Sequence, residues 1–286
     1  MKRIGIMGGS GLYQLEGLQV REETAVQTPF GDPSDRYLLA EYQGREVVFL
    51  PRHGKKHRRN PSEINYRANI YGMKQLGVEW LVSVTACGSL RKELKPLEFV
   101  IPTQFVDRTN HARPHTFFEN GIVVHVGFSD PVCETLARAV EQAARAAGVT
   151  VHYGGTYLNM EGPQFSTRAE SLLYRSWGMD VIGMTNMTEA RLAREAEICY
   201  ASLAAVTDYD CWYETEEAVS ADAVIANLLK NAENSKKIIK KLIPAVSSSR
   251  ECACQEALGQ AIVTRPEAVP DGVKQKLGIF LNKYFK

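Results

Sequence analysis

The second half of the chain alternates between apolar stretches of strand type and amphipathic helices, and this alternation limits the folds it can adopt. Apolar residues at helical spacing cover 133–147, and the pattern ends at Gly148. A short strand follows, then a helix marked by the Thr167–Glu170 capping box, and then a series that ends in the apolar strand 199–206. Strands that alternate with helices predict an α/β fold with a central mixed β-sheet flanked by helices.

The first half is expected to supply most of the remaining strands. Stretches rich in branched and aromatic residues predict strands at 3–7, 36–42, 45–51, 80–84, 98–102 and 122–126. Gln43 and Gly44 predict a hairpin turn between two of these strands. A helix is expected between Pro61 and Gly77.

The C-terminal part predicts helices that pack on this sheet. A long helix capped by Ser220 and two short helices, at 251–263 and 272–284, are expected. The sequence contains no internal repeat, low-complexity tract or linker that would divide it. We therefore expect one domain over residues 1–286, with the helices of 220–286 packed against it.

Composition and charge narrow the classes of function. The net charge is +1, with 44% hydrophobic and 23% charged residues, so we expect no nucleic-acid partner and no membrane surface. The apolar stretch near the amino end is broken at once by glycines, and no stretch approaches a membrane-spanning length. We expect a cytoplasmic protein.

Six cysteines include one suggestive pair, Cys252 and Cys254. A metal site built on this pair needs two more ligands at comparable spacing, and the sequence holds no second such pair. A thiol pair and a strained disulfide stay open as alternatives to two ordinary thiols. We expect no metal site.

Polar residues lie where several predicted strands end. Ser10 is in GIMGGSGL, Arg52 and His53 are in LPRHG, Thr85 is in VSVTACGSL, and Thr185 is in VIGMTN. In open α/β sheets, ligands bind beyond the carboxyl ends of the strands. Hydroxyl groups, backbone N–H groups and an arginine at one such edge suit a phosphate. For each cluster alone, an ordinary turn or a solvated loop explains the residues equally well.

Two aspartates follow the last predicted strand of the sheet. Asp208 and Asp210 are two positions apart, so a strand that continued through them would point both to one side. Two like charges in one place are unfavourable unless one carboxyl is protonated or donors face both. Phe165 and Met184 lie in neighbouring clusters, and each residue considered alone is expected to pack in the core rather than to contact a ligand.

Several of these stretches in combination resemble a known family. GGSGL, TPFGDPSD, RHG, TACGSL, EGPQFSTRAES, MTNMTEA and VTDYDCW occur in this order over most of the chain. Together they are similar to the methylthioadenosine phosphorylases of the trimeric purine nucleoside phosphorylase superfamily. The resemblance implies a nucleoside phosphorylase-like fold and a role in purine and methionine salvage. Phosphate would attack C1′ of S-methyl-5′-thioadenosine, adenine would leave, and 5-methylthioribose 1-phosphate would form without a cofactor.

The resemblance also implies which residues bind each substrate. The phosphate would contact Ser10, Arg52, His53, Thr85, Ala86 and Thr185, and the nucleoside would contact His125, Phe165, Met184, Asp208 and Asp210. A protonated Asp208 would be the catalytic acid at purine N7, and Asp210 would accept from the 6-amino group. His125 would reach the site of a neighbouring subunit, which implies a homotrimer with shared sites.

Specificity would depend on the two carboxyl groups and on the pocket around the 5′ substituent. Two aspartates favour a 6-aminopurine, because a 6-oxopurine offers an acceptor and an N1–H that suit asparagine. Ser166 would line the pocket, and the small side chains of Ala221 and Val224 would leave room for a methylthio group. Leu277 or Leu281, in the C-terminal helices, is expected near the 5′ group of a neighbour.

Three alternatives compete with this hypothesis. A 6-oxopurine nucleoside or methylthioinosine phosphorylase would differ only in the base that it accepts. A nicotinamide-dependent oxidoreductase would use GIMGGSG, whose glycines lack the required G-x-G-x-x-G spacing. A non-catalytic nucleoside-binding protein would explain a base site but not the phosphate donors beside it.

Overall fold

Eleven strands of the described residues pair into one mixed sheet. The computed structural model describes residues 3–9, 11–110, 113–213 and 221–285, and of 221–224 it describes the backbone alone. The strands are β1 (Arg3–Gly8), β2 (Gln19–Thr24), β3 (Tyr37–Tyr42), β4 (Arg45–Pro51), β5 (Val78–Ser89), β6 (Phe99–Ile101), β7 (Gln104–Arg108), β8 (Val151–Tyr153), β9 (Thr156–Met160), β10 (Val181–Gly183) and β11 (Cys199–Asp208). Eight follow the order β2-β3-β4-β1-β5-β10-β9-β7, while β11 pairs with β5 and β6, and β6 pairs with β8.

Strand β5 is the centre of this sheet. On one edge, β1 pairs in parallel with residues 78–83, and β10 pairs antiparallel with Gly88 and Ser89. On the other edge, β11 pairs in parallel with residues 80–88. The 12 residues of β5 therefore bring strands of both directions to one part of the molecule.

Six helices of the described residues cover both faces of the sheet. They are α1 (Tyr66–Gln75), α2 (Glu134–Ala146), α3 (Arg168–Ser176), α4 (Asn186–Glu195), α5 (Ala221–Ala245) and α6 (Asp271–Leu281), with 3₁₀ turns at Asp210–Trp212, Ala253–Glu256 and Pro266–Ala268. Along β4, Val47 and Phe49 join one core with α2 and α5, while Val48 and Leu50 join another with α1, α4 and α6. This layering confirms the predicted α/β fold. None of the described helices combines the length and the apolar character needed to cross a membrane.

Two local predictions from the sequence are confirmed. Gln43 and Gly44 connect β3 to β4 with φ values of 49° and 75°, the left-handed conformation that a type I′ hairpin requires. The capping box forms at the start of α3, where the Thr167 hydroxyl accepts from the Glu170 N–H. Ser220, the expected cap of α5, lies outside the described residues.

The strand predicted at 122–126 is wrong. Val124 alone makes a bridge, antiparallel to Ile262, and the segment has no place in the sheet. Ile122 is buried, but the segment bonds to the irregular residues 261–263 and not to a strand of the sheet: the N–H of His125 donates to the carbonyl of Ala261 and that of Val263 to the carbonyl of Val123. Conversely, β5 is longer than the predicted 80–84, so the TACGS motif lies inside a strand and not after one.

The helix predicted at 251–263 is also wrong. The segment forms a short 3₁₀ turn, and then successive turns in which Gly259 donates to Glu256 and Ala261 donates to Leu258. Cys254, Leu258 and Ala261 are buried at spacings of four and three, which imitate a helical face. Here separate turns that pack against the core bury residues at the spacing that a helix would show.

The sequence pattern does not predict three of the strands, β2, β7 and β9. Residues of β2 are mostly exposed, and β7 and β9 show no clean alternation of apolar and polar side chains. These strands form because β3, β9 and β10 present unpaired edges to them. Hydrogen bonding with a neighbour that is distant in sequence therefore decides their structure.

The C-terminal helix α6 is part of the core of its own chain. Leu277 and Leu281 are each 1% exposed and pack in the cluster that contains Phe117 and Phe280. The expectation that one of these leucines reaches a neighbour's site is therefore wrong, because burial in the chain's own core leaves neither accessible.

We expect Leu277→Ala to lower the free energy of unfolding by about 2–5 kcal/mol, because it removes buried methyl groups and leaves a cavity. Ile279→Ala in the same helix is the matched control, since Ile279 is 36% exposed and its truncation should cost much less. Urea denaturation of both variants measures the difference. Equal, small losses would contradict the placement of α6 in the core.

Candidate active site

A gap along the central strand is the main feature of the candidate site. β1 pairs with β5 up to Ser83, and β10 arrives from the opposite direction and pairs only at Gly88 and Ser89. Neither strand pairs with residues 84–87, which we call the β5 gap. Within it, Thr85 is half-buried and Ala86 is exposed, although both lie inside a strand at the centre of the sheet.

Other predicted phosphate ligands converge on the β5 gap. β1 ends at Gly8, whose carbonyl accepts a 3.0 Å hydrogen bond from the N–H of Arg52. β10 ends at Gly183, so that Met184 and Thr185 follow at the other border of the gap. The structure thus brings the backbone of Arg52, the β5 gap and Thr185 together. Ser10 lies outside the described residues.

The guanidinium of Arg52 forms a buried ion pair beside this gap. It bonds to both carboxylate oxygens of Glu189, and the two side chains are 3% and 0% exposed. It also donates to the Ser83 hydroxyl at 2.5 Å and to the carbonyl of Val84 at 3.2 Å. Burial lowers the pKa of Arg52, but the attraction of Glu189 outweighs it and the pKa lies above its usual value. The guanidinium of Arg52, which the sequence suggests as a phosphate ligand, is therefore bonded to acceptors of the protein itself.

Hydrogen bonds extend this ion pair to the start of helix α4. Glu189 accepts from Ser83 at 2.6 Å and from the Tyr200 hydroxyl at 3.0 Å. Tyr200 in turn accepts from the Asn186 amide at 2.9 Å. Asn186 is the first residue of α4 and Thr185 is its N-cap, so the network fixes a helix N-terminus at the gap. Such a terminus carries a partial positive charge that favours anions.

His53 is held as a neutral imidazole near the same edge. Its Nδ1 lies 2.8 Å from the carbonyl oxygen of Arg59, and its ring stacks on His57 with 4.1 Å between the centroids. Burial, supported by the charge of Arg52, lowers the pKa of His53 to about 4. Near pH 7 the ring is therefore uncharged. Nδ1–H donates to the carbonyl, and Nε2 keeps a lone pair.

A β-bulge brings the two aspartates together. Val206 pairs with Cys87 and Asp208 with Gly88, so Thr207 is the extra residue in β11. The strand ends at Asp208, and Asp210 takes a left-handed φ of 52°. The expectation of two carboxyls along one extended strand is therefore wrong. The turn still joins them, because the Asp210 N–H donates to Asp208 Oδ1 at 2.8 Å.

The environment of Asp210 favours its protonated form. Burial raises the pKa of Asp210, and the charge of Asp208 adds to this, against hydrogen bonds from Ser171 and Ser166. The Ser171 hydroxyl lies 2.5 Å from Asp210 Oδ2, whereas Asp208 accepts from the Thr207 hydroxyl at 2.6 Å. The family resemblance implies Asp208 as the protonated residue instead. The specificity candidate Ser166 does lie beside the pair.

Residues that the sequence analysis missed hold this turn in place. Asn227 and Asn231 are four positions apart on α5 and donate to the carbonyls of Thr207 and Val206 at 2.9 and 2.8 Å. In the sequence, the only indication of this role is that the two asparagines are four positions apart and so lie on one face of a helix. Gly88 leaves the required space, since a Cβ there would lie 3.2 Å from Asp208 Oδ1.

Met184 is positioned through its backbone. Its carbonyl accepts from the buried guanidinium of Arg113 and, at 3.3 Å, from the amide of Asn159. Arg113 also bonds to the carboxylate and the carbonyl of Glu161. Arg113 was missed because it lies far from Met184 in sequence and in no recognised motif.

Two other predicted ligands have exposed side chains. Phe165 is 83% exposed, so it does not fill the core. His125 is exposed, donates through its backbone to Ala261 at 2.8 Å, and lines grooves formed by residues 115–128 and 256–261. The side chains of Ala221 and Val224 lie outside the description.

We expect Glu189→Gln to lower the free energy of unfolding by about 3–5 kcal/mol, because the buried charge of Arg52 loses its partner. Glu134→Gln is the matched control: Glu134 is 77% exposed, 3.7 Å from Arg138, and its pair is worth under about 1 kcal/mol. Denaturant unfolding compares the two. A loss at Glu189 no larger than at Glu134 would contradict the role of the buried pair.

Comparison with known proteins agrees with this geometry. The family model described as the phosphorylase superfamily matches residues 3–244. The chain is 56% identical to S-methyl-5′-thioadenosine phosphorylase of Koribacter versatilis over 282 residues, which cover 99% of this chain and 96% of the relative. The crystal structure of a methylthioadenosine phosphorylase from an antarctic soil metagenomic library superposes with a TM-score of 0.93 at 49% identity, covering 97% of this chain and 98% of the other.

A more distant relative is solved with a ligand. A variant of the adenosine/methylthioadenosine phosphorylase of Schistosoma mansoni in complex with adenine superposes with a TM-score of 0.86 at 34% identity, covering 92% of this chain and 99% of the other. The family follows from two findings. The chain is more than 50% identical to a relative that it matches over nearly its full length, and it shares its fold with a solved methylthioadenosine phosphorylase. The chain belongs to the S-methyl-5′-thioadenosine phosphorylases of the phosphorylase superfamily.

Proposed function

We infer that the chain catalyses the phosphorolysis of S-methyl-5′-thioadenosine to adenine and 5-methylthioribose 1-phosphate, in purine and methionine salvage. The family supports the reaction, and the adenine bound to the Schistosoma relative supports a 6-aminopurine as the leaving group. The observation in this chain that carries the proposal is the pair of carboxyl groups, Asp208 and Asp210, beside the β5 gap. The gap accepts phosphate, and the pair binds the purine.

Phosphate binding uses the β5 gap and the N-terminus of α4. The hydroxyls of Thr85 and Thr185 and the backbone N–H of Ala86 are the proposed donors, together with Ser10. The neutral His53 can accept a hydrogen bond from a phosphate hydroxyl through Nε2. Glu189 offsets the charge of Arg52, so a direct bond from Arg52 to phosphate requires release of one of its N–H groups from a protein acceptor.

The two aspartates share one proton and bind the purine through it. A protonated carboxyl donates to N7, and the ionised one accepts from the 6-amino group. Burial and the neighbouring carboxylate raise the pKa of Asp210 in the free protein, so this turn takes up a proton more readily than an exposed aspartate would. We keep Asp208 as the proposed donor at N7.

The reaction then follows from charge development. The bond between C1′ and N9 breaks with its electron pair on the purine, and the ribose gains oxocarbenium character. A phosphate oxygen forms the new bond to C1′ while the carboxylic acid transfers its proton to N7. Proton transfer of this kind contributes roughly 10²–10⁴ in rate, and the bound phosphate places negative charge beside the oxocarbenium.

Sugar contacts are proposed for the backbone of Met184 and for Phe165, with Ser166, Ala221 and Val224 around the 5′ substituent. Arg113 and Asn159 fix the carbonyl of Met184, which limits the freedom of this part of the site. No described group of this set carries a charge that would oppose a methylthio substituent.

The first test compares release of base from methylthioadenosine, adenosine, methylthioinosine and inosine with phosphate present. We expect both 6-amino substrates to be preferred, by roughly 10⁴-fold, because an unmatched 6-oxo group leaves a buried acceptor unpaired. Asp210→Asn should narrow the ratio of kcat/KM between methylthioadenosine and methylthioinosine, since an amide can donate to O6.

Asp271→Asn is the matched control, because Asp271 is fully exposed and should leave the ratio unchanged. Preference for the 6-oxo pair would keep a phosphorylase and overturn the assignment of the base. Equal ratios for wild type and Asp210→Asn would remove Asp210 from base recognition.

We also propose a homotrimer in which His125 serves a neighbouring site. His125 is exposed, and Val123 and Val263 nearby are 48% and 62% exposed, so an apolar surface surrounds it. Phe165 lies 83% exposed in the single chain, as expected for a side chain that a second copy covers. A heterologous interface of this kind closes into a ring.

Subunit complementation tests the sharing of sites. His125→Ala and Asp208→Asn should each lower kcat/KM strongly as pure oligomers. Mixed oligomers formed by co-expression should recover activity, because one site then contains both native residues. Light scattering should give the mass of three chains. Trimers without recovery would contradict shared sites, and monomers would contradict the trimer itself.

A further inference from the structure

Four cysteines from distant parts of the sequence meet in one cluster. Cys133, Cys199, Cys252 and Cys254 place their Sγ atoms within 4.8 Å of one another, and Cys199 and Cys252 are 3.2 Å apart. All four are free thiols in this structure. The sequence criterion of a second closely spaced pair missed the site, because Cys133 and Cys199 come singly from separate elements.

The spacing of these sulfurs fits a tetrahedral metal ion. Four sulfurs at a Zn–S distance of about 2.3 Å lie about 3.8 Å apart in a tetrahedron. The Sγ atoms of Cys199 and Cys252 are 3.2 Å apart and no separation in the cluster exceeds 4.8 Å, so the cluster has the size that this geometry needs. Small side-chain movements therefore suffice to reach it.

Rigid elements deliver two of the four ligands. Cys133 is the N-cap of α2, and its N–H donates to the carbonyl of Tyr200 at 2.8 Å. Cys199 begins β11 and is fully buried. The two other cysteines flank Ala253 in the C-terminal segment that the sequence analysis expected to be a helix.

The surroundings suit a structural ion. Cys133, Cys199 and Cys254 are at most 8% exposed and belong to the apolar core beside α2 and α5, whereas Cys252 is half-buried and gives an entry path. Four ligands close the coordination shell, which leaves no position for water and argues against a catalytic ion. The cationic Arg194 acts electrostatically on Cys254 and offsets part of the negative charge of the thiolates.

We propose that these four cysteines bind one Zn²⁺ ion per chain as a tetrathiolate. Each thiol loses its proton to solvent when its sulfur coordinates, and no electron is transferred. Thiolate ligands select a soft or borderline ion and disfavour Mg²⁺ and Ca²⁺. The site is independent of the proposed reaction.

The ion would tie the C-terminal segment to the sheet. It would join α2, the start of β11 and residues 252–254 at the amino end of β11. Asp208 lies at the other end of that strand, about 30 Å away at a rise of about 3.3 Å per residue. The expected role is therefore stability of the segment that also contacts the backbone of His125.

The test uses the full-length reduced protein and Zn²⁺ or Co²⁺ as the probe. Purified wild type should contain about one zinc per chain by elemental analysis, and Co²⁺ should give the intense sulfur-to-metal absorption of a tetrahedral thiolate site. Cys252→Ser should weaken Zn²⁺ binding by more than about 100-fold, since even second-shell changes cost 10–100-fold. Metal removal should lower the melting temperature.

Cys211→Ser is the matched control, because Cys211 lies outside the cluster and should retain full metal binding. Cys252 is partly exposed, so its substitution tests the site with little disturbance of the core, and Co²⁺ titration of wild type needs no variant. Failure of reduced wild type to bind either ion more tightly than Cys252→Ser would overturn the proposal. A native mass lowered by two disulfides, with no metal, would also overturn it.

Discussion

The architecture of the site depends on one constraint, the length of β5 relative to its neighbours. β1 stops opposite Ser83 and β10 reaches only to Gly88, so residues 84–87 have a partner strand on one edge alone. An open edge in the middle of a sheet costs hydrogen bonds, which solvent or a ligand must supply. The same arrangement points the end of β1 and the end of β10 at each other from opposite directions. A switch in strand direction thereby creates the opening that we propose as the phosphate position, as at the crevices of other α/β sheets.

A buried ion pair lies behind the β5 gap and contributes both to stability and to the electrostatics of the site. The ion pair of Arg52 and Glu189 is almost inaccessible to water, and such a pair is stable only when further hydrogen bonds satisfy its remaining atoms. Ser83, Tyr200 and the carbonyl of Val84 supply them. Because Glu189 belongs to α4, the pair also fixes the helix N-terminus that borders the gap. One buried network thus positions an ion pair and a helix N-terminus beside the proposed phosphate position.

The proposed purine end of the site depends on an irregularity in the next strand. The bulge at Thr207 and the left-handed Asp210 bring the two aspartates together, and asparagines of α5 hold the carbonyls of the bulge. Burial of Asp210, with the charge of Asp208 beside it, raises the pKa of the Asp210 carboxyl. The bulge, the burial and the neighbouring negative charge thus act together on one carboxyl group. Burial and the charge each make protonation of that group easier.

The sequence by itself determined the α/β class, the hairpin at Gln43–Gly44 and the residue types of the site, because apolar periodicity, turn chemistry and motifs are local properties. It also indicated that two aspartates at the end of an apolar strand need a proton or donors between them. Only the tertiary structure decided that Arg52 is paired with Glu189, that α6 belongs to the core, and that Cys133 and Cys199 join Cys252 and Cys254. Each of these contacts joins segments far apart in the chain, and neither spacing nor propensity records which distant segments the packing of a sheet brings together.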